Sequence, residues 1–300
     1  MKKVITALLL ACVLFACKKE TNSDSNESPS SDAKVPVKFS IQNFMVLQQD
    51  MSANGRVQGT PPIHQIYYYA YKNDGSLASS LNQASGVTNF GVISDSLAPG
   101  TYTIVVAASE KGLSYSFGNS TAGLQDALLY RGLSWGDAWG DFFFKKFQVT
   151  VSESGNPPTM DVSLDRKVGL LQADLRDALP ASDPNGAITV TVKYPAPSFK
   201  FDTEQAYTSS QEQTITRKDQ TTWEYYLLGS SQALTVTINW KDKTTGAPMS
   251  KTIPNIVVSA NKKTIIKGYL YGTPDNLGGS DYVVRYNSDW SSDSTIVNIN

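Results

Sequence analysis

One histidine, His64, and two cysteines, Cys12 and Cys17, are the only imidazole and thiols in the sequence. A serine-type triad needs a nucleophile, a histidine base and an orienting carboxylate, so it would have to be assembled around His64. That residue lies in an apparent strand, "IHQIYYYAYKNDG", and no nucleophile-elbow motif accompanies it. It reads as a structural or surface histidine. Zinc would require a Cys/His cluster that the sequence lacks, and Asp183, Asp275 and Asp281 do not fall into a calcium-loop pattern. Neither a Walker A loop nor a dinucleotide fingerprint occurs. The expectation is a non-enzyme without catalytic residues, metal or cofactor.

More chemical content resides in "LSWGDAWGDFFFKKF", where Trp135-Gly136-Asp137 recurs as Trp139-Gly140-Asp141. A ring beside a carboxylate can stack a sugar and accept its hydroxyl hydrogen bonds, and the same ring can anchor a protein partner. Large rings also staple loops to a β-core or fill the seam between domains. Trp135, Asp137, Trp139 and Asp141 are therefore candidate contacts for a surface glycan or a host protein, with core or interdomain packing as the alternative. Trp290, in "SDWSSDSTIVNIN", is open to the same alternatives.

Cys17 has a chemistry of its own. Before it the chain reads "MKKVITALLLACVLFA": two lysines, an apolar stretch too short to span a bilayer comfortably, and a small residue at the end. Leu14 and Ala16, three and one positions before the cysteine, match the bacterial lipobox, in which a peptidase cuts before a cysteine already acylated on its thiol. Residues 1–16 are then a lipoprotein signal peptide, and the mature chain begins at a lipidated, palmitate-bearing Cys17. An ordinary signal peptide that contains a cysteine is the alternative. Cleavage discards Cys12, so the mature fold has neither free thiol nor disulfide. Each buried methylene contributes about 0.8 kcal/mol, and two or three acyl chains hold a protein firmly to a membrane.

After the cysteine, "KKETNSDSNESPSSDAK" offers no aromatic or bulky apolar side chain. Such a segment cannot offset the entropy of ordering, so residues 17–34 form a flexible tether with a reach of roughly 20–25 Å. Lys18 behind the cysteine resembles lipoproteins sent to the outer membrane of Gram-negative bacteria. The expected location is that membrane, at the cell surface.

The elements that must position these residues are strands. "VPVKFSIQNFMVL" alternates Val35, Val37, Phe39 and Ile41 with polar neighbours, and "IHQIYYYAYKNDG" ends in the turn Asn73-Asp74-Gly75. "LAPGTYTIVVAAS", "FFFKKFQVTVSES", "AITVTVKYP", "ALTVTINWKD" and "KTIPNIVVSANKKTIIKGYLYG" continue the pattern. Gly, Pro and Asn turns between them, without interposed helices, point to an all-β chain of antiparallel sandwiches. Length suggests two, spanning 35–160 and 161–300, with the seam at "SESGNPPTM" near Met160. "STAGLQDALLYRG" is the one candidate helix, with Leu124, Leu128 and Leu129 at helical spacing. A formal net charge of -1 gives no electrostatic case for nucleic acid.

The succession of "YYYAYKNDGSL", "ISDSLAPGTYTIVVAAS", "SLDRKVGLLQADLRDALP" and "IPNIVVSANKKTIIKGYLYG" behind a lipobox cysteine and polar tether resembles the fimbrillin-like surface lipoproteins of Bacteroidota, most of all their anchor and accessory subunits. The resemblance implies two transthyretin-like β-sandwich domains and a lipid-anchored adhesive or structural role among fimbrial subunits of the same cell. It also implies assembly by strand exchange, in which a strand of one subunit completes the sheet of another. For major subunits of that family an arginine-specific protease opens the groove, and Arg56 in "SANGRVQG" stands where such a cut could fall. A solvated loop arginine is the alternative. A stand-alone glycan-binding lipoprotein for nutrient capture is the second functional expectation.

Cys17 can be checked directly. A Cys17→Ser chain is expected to incorporate no fatty-acid label and to leave the membrane fraction; full labelling and retention would contradict the lipobox reading.

Overall fold

The computed structural model describes residues 33–42, 63–116, 123–131, 139–153, 158–175, 188–207, 212–217, 222–230, 232–242, 244–268, 270, 283–287 and 296–298. The fold is all-β. Among the described residues the only helical element is a single 3-10 turn, Leu124–Asp126.

In the first half, a three-stranded sheet has the order β4 (Val92–Leu97), β1 (Val35–Gln42), β9 (Thr159–Ser163). It packs on a five-stranded sheet of order β10 (Asp165–Arg166), β8 (Phe142–Val151), β5 (Gly100–Ser109), β2 (Gln65–Lys72), β3 (Leu77–Ala84). The core between them takes Val37 and Phe39 from β1, Ile66, Tyr68 and Ala70 from β2, and Ile104 and Val106 from β5. In the second half, β16 (Thr222–Leu228), β11 (Val168–Leu175), β19 (Lys263–Gly268), β20 (Val283–Asn287) and β21 (Ile296–Asn298) form one sheet. Its partner sheet is β15 (Glu212–Arg217), β12 (Ile188–Lys193), β17 (Leu234–Lys241), β18 (Pro248–Ile256). Val190, Val192, Val236, Ile238, Leu171 and Ile266 fill that core. Among the described residues pairing is antiparallel except for β1 with β9 and β11 with β19, which run parallel.

The fifth sheet crosses between the halves. Its order is β14 (Gln205–Tyr207), β13 (Ser198–Lys200), β7 (Leu128–Arg131), β6 (Leu113–Ser116), so Phe199 of the second half pairs with Leu129 of the first. This sheet covers the other face of β2, β5 and β8. Strand β2 consequently buries both faces: Ile66, Tyr68 and Ala70 enter the first core, while Tyr67, Tyr69 and Tyr71 enter a third core with Phe142, Phe144, Phe199 and Phe201. A strand buried on both faces reads as a continuous apolar run, which is why "IYYYAY" shows no polar alternation. Its hairpin to β3 turns at Gly75, whose φ of 82° suits glycine, and Asp74 Oδ1 accepts from Ser76 N–H at 2.9 Å.

Two local expectations change. Leu124 lies in the 3-10 turn, but Leu128 and Leu129 extend into β7, because pairing with β13 captures them as strand. Met160, the expected seam, falls inside β9, opposite Phe39 of β1. Val162 and Leu164 still belong to the first core, and Leu171 is in the second.

Phe199 is 2% exposed, with ring centroids 5.3 Å from Phe142 and 4.8 Å from Phe144. Phe199→Ala should therefore lower unfolding free energy by about 3–5 kcal/mol in denaturant titration. Leu81→Ala, at an exposed site, should change it by no more than about 0.5 kcal/mol.

Candidate functional site

Strand β1 is paired on both sides and turns one face to the first core. Val35, Val37, Phe39 and Ile41 point inward and are buried, while Lys38 is exposed. Its alternation is thus that of a strand with one core face and one wet face. It lies between β4, with Phe39 opposite Ile93, and β9, with Ile41 opposite Val162. Withdrawing β1 would open two strand edges at once and a groove lined by Ile93, Leu97, Val162 and Tyr68. Such a groove meets the requirements of β-augmentation: free main-chain groups for affinity and alternate pockets for side-chain register.

One lining residue is unlike the others. On β4, Ile93 and Leu97 face the core, and the alternation places Asp95 between them on the same face, opposite Val37. Asp95 Oδ1 accepts from Ser96 N–H at 2.7 Å, whereas Oδ2 is buried without a hydrogen-bond partner. The Tyr68 hydroxyl is likewise buried without one. Burial, reinforced by the charge of the facing Asp95 carboxylate and by the side-chain interaction between the two, pushes the Tyr68 phenol far above its usual range. Tyr102 is also raised by burial and then by Asp95, and its hydroxyl donates to Ala98 O at 2.8 Å.

The Trp-Gly-Asp segment leads inward. Trp139 is fully buried, its Nε1–H donates to Ala196 O at 3.0 Å, and its ring lies 5.1 Å from that of Phe142. Asp141 is also fully buried and accepts a fork from Arg166, Nε to Oδ1 at 2.8 Å and Nη2 to Oδ2 at 2.7 Å. Gly140, at φ 66°, makes the bend between them, and a Cβ there would stand 3.0 Å from both Glu110 Oε2 and Lys111 Cγ. Burial pushes the Asp141 carboxyl up from its ordinary range, and the Arg166 charge and hydrogen bonds pull it partly back. Arg166 also lies over Phe143 at 5.0 Å and donates to Asn261 Oδ1 at 3.3 Å, linking the first half to the β18–β19 turn. These two residues offer no surface to a sugar or partner; their ring and carboxylate are committed to packing and to Arg166.

Trp135, Asp137, Arg56, Cys17 and Trp290 lie outside the described residues. His64 is exposed, with Nδ1 3.2 Å from Ser85 Oγ at the open end of the β2–β3 hairpin. Among the described residues no group of three His, Cys, Asp or Glu side chains could hold a metal. Sequence reasoning missed Asp95 and Arg166. The signal for Asp95 was available in "VISDSL", an acid at an inward position of an alternating strand.

Neither a family model nor a curated relative matches the sequence. Solved structures match its fold. A fimbrial assembly protein from Parabacteroides distasonis superposes with a TM-score of 0.54 at 13% identity, over 88% of this chain and 99% of that one. A protein described as a candidate adhesin from Bacteroides thetaiotaomicron gives 0.55 at 10% identity, over 89% and 98%. One described as a candidate polysaccharide-binding protein from the same species gives 0.55 at 10% identity, over 90% and 99%. At these identities the likeness is one of fold.

Because breaking a buried ion pair strands the remaining charge, Arg166→Leu should destabilise the protein by about 3–5 kcal/mol. The double variant Asp141→Leu/Arg166→Leu should recover most of that loss; additive losses in a double-mutant cycle would show that the two do not act as a pair.

Proposed function

We propose that this chain is a lipid-anchored structural subunit of the bacterial surface, in the manner of a fimbrial anchor or accessory protein, that joins neighbouring subunits by strand exchange at the β1 slot. The observation that carries this reading is β1 itself: a single strand, apolar on one face, seated between β4 and β9 over the first core. Main-chain pairing on both sides and four inward side chains give an exchanged strand both affinity and register.

Further support comes from the fold shared with a fimbrial assembly protein and with proteins described as adhesins. In this reading Cys17 carries the acyl chains, residues 17–34 hold the folded part off the outer membrane, and Arg56 lies in the segment between β1 and β2. An uncut Arg56 keeps the lipid joined to the fold, as an anchor requires; a cut releases β1. In this reading the chain comprises two sandwich-bearing halves, expected at 35–160 and 161–300, with the crossing segment nearer 164–171 on the core assignments.

The alternative, a stand-alone glycan-binding lipoprotein, takes its support from the structure described as a candidate polysaccharide-binding protein. It loses half of its proposed contact set, since Trp139 and Asp141 are buried. Trp135 and Asp137 would have to carry it.

Unheated outer-membrane samples of a tagged chain, run on a denaturing gel, distinguish the two. Strand exchange predicts a high-mass band or ladder that collapses on boiling and disappears with Phe39→Asp. A single monomer band, unaffected by loss of the cell's fimbrial subunits, would contradict it.

A further inference from the structure

Among the described residues only two strand pairs run parallel, and one of them joins β1, which opens the first half, to β9 near its end. The two are in register from Lys38 opposite Thr159 to Gln42 opposite Ser163. The chain enters β1 at Val35 from the side of Cys17 and leaves β9 at Ser163 for the second half. In a parallel pair those two points lie at opposite ends of the ladder. Tension between them drives the strands past one another along their axes, so the evenly spaced hydrogen bonds of the ladder are all strained at once. Tension between points that lie side by side parts the bonds one after another.

The surroundings of the ladder oppose sliding. Lys38 N–H donates to Pro158 O at 3.0 Å and Ile41 N–H to Gly91 O at 2.8 Å, so β1 is tied on both its edges. Phe39 is fully buried, its ring centroid 5.8 Å from those of Tyr68 and Phe147, and axial movement has to drag that ring out of a close-packed seat. Only residues 164–167 separate β9 from β11, which belongs to the second parallel pair. Within them β10 pairs with Phe143 and Phe144, Lys167 N–H donates to Phe142 O at 2.9 Å, and Arg166 is forked on Asp141.

We infer that the β1–β9 ladder is a shear clamp, through which the folded chain carries tension between its N-terminal membrane tether and its second half. The inference rests on the lipid-anchored reading and adds a mechanical function to it: the anchored end is pulled without the first sandwich opening. A β1 that opens thermally is compatible with this, because spontaneous opening peels a strand from one end, whereas the tether pulls along it.

Single-molecule force spectroscopy on the full-length mature chain tests the clamp. Ala33, Thr159 and Ser163 are exposed, so cysteine handles at these positions in a Cys17→Ser background leave the fold intact. Forced unfolding reports the rate of opening along the pulled direction. Rupture between handles at Ala33→Cys and Ser163→Cys, which loads the whole ladder, should need a several-fold higher force than rupture between Ala33→Cys and Thr159→Cys, which peels it. Equal forces in the two geometries would overturn the inference. The lipidated chain, seated in a supported bilayer and pulled by its C-terminus, should then leave the membrane without the extension of roughly 450 Å that unravelling of residues 35–163 releases. That extension before detachment would likewise overturn the inference. A chain that does not hold to the bilayer at all would remove the lipid-anchored reading, and the clamp's role with it, even where the two handle geometries differ in force.

Discussion

Packing of Phe199 and Phe201 against Phe142, Phe144 and Tyr69 is the contact on which the rest of the molecule depends. It buries the second face of β2, β5 and β8, which would otherwise present a sheet of tyrosine and phenylalanine rings to water. Those rings come from both halves of the chain, so neither sandwich has a complete surface without the other. The β7–β13 ladder gives this core its backbone frame.

The same enclosure explains the charges near it. Asp141 follows directly from the bend at Gly140 and has no route to solvent, so a cation must come to it, and Arg166 does. Lys146 and Lys167 both reach Glu204 across the same boundary, at 3.8 and 3.3 Å. These partly exposed pairs add little energy but favour one arrangement of charges over others. Packing supplies the energy of the junction, and the buried fork restricts its geometry.

How much of this could be read from the chain follows from the range of each interaction. Alternation identified β1, β12 and β17, because a strand with one wet face records its environment residue by residue. Continuous apolar runs identified β2 and β5 as strands, but not which layers covered them. The pairing of Leu128–Arg131 with Ser198–Lys200 joins segments about 70 residues apart, and no local signal announces it. The Trp-Gly-Asp repeat was ambiguous for a related reason: Trp139 is spoken for by Ala196 O and Asp141 by Arg166, partners remote in sequence. Asp95 was legible in principle, since Ile93, Asp95 and Leu97 alternate, yet only the register with Val37 shows what it faces.

A body locked by its shared aromatic core thus carries one strand that is held by sheet pairing and four side chains. Hydrogen exchange followed by mass spectrometry on the full-length chain tests that combination directly. Amides of β1 should exchange through an opening smaller than global unfolding, together with the facing amides of β4 and β9, while β5, β8, β11 and β13 stay protected. Exchange of β1 only at the global rate, in step with β5 and β8, would contradict the account.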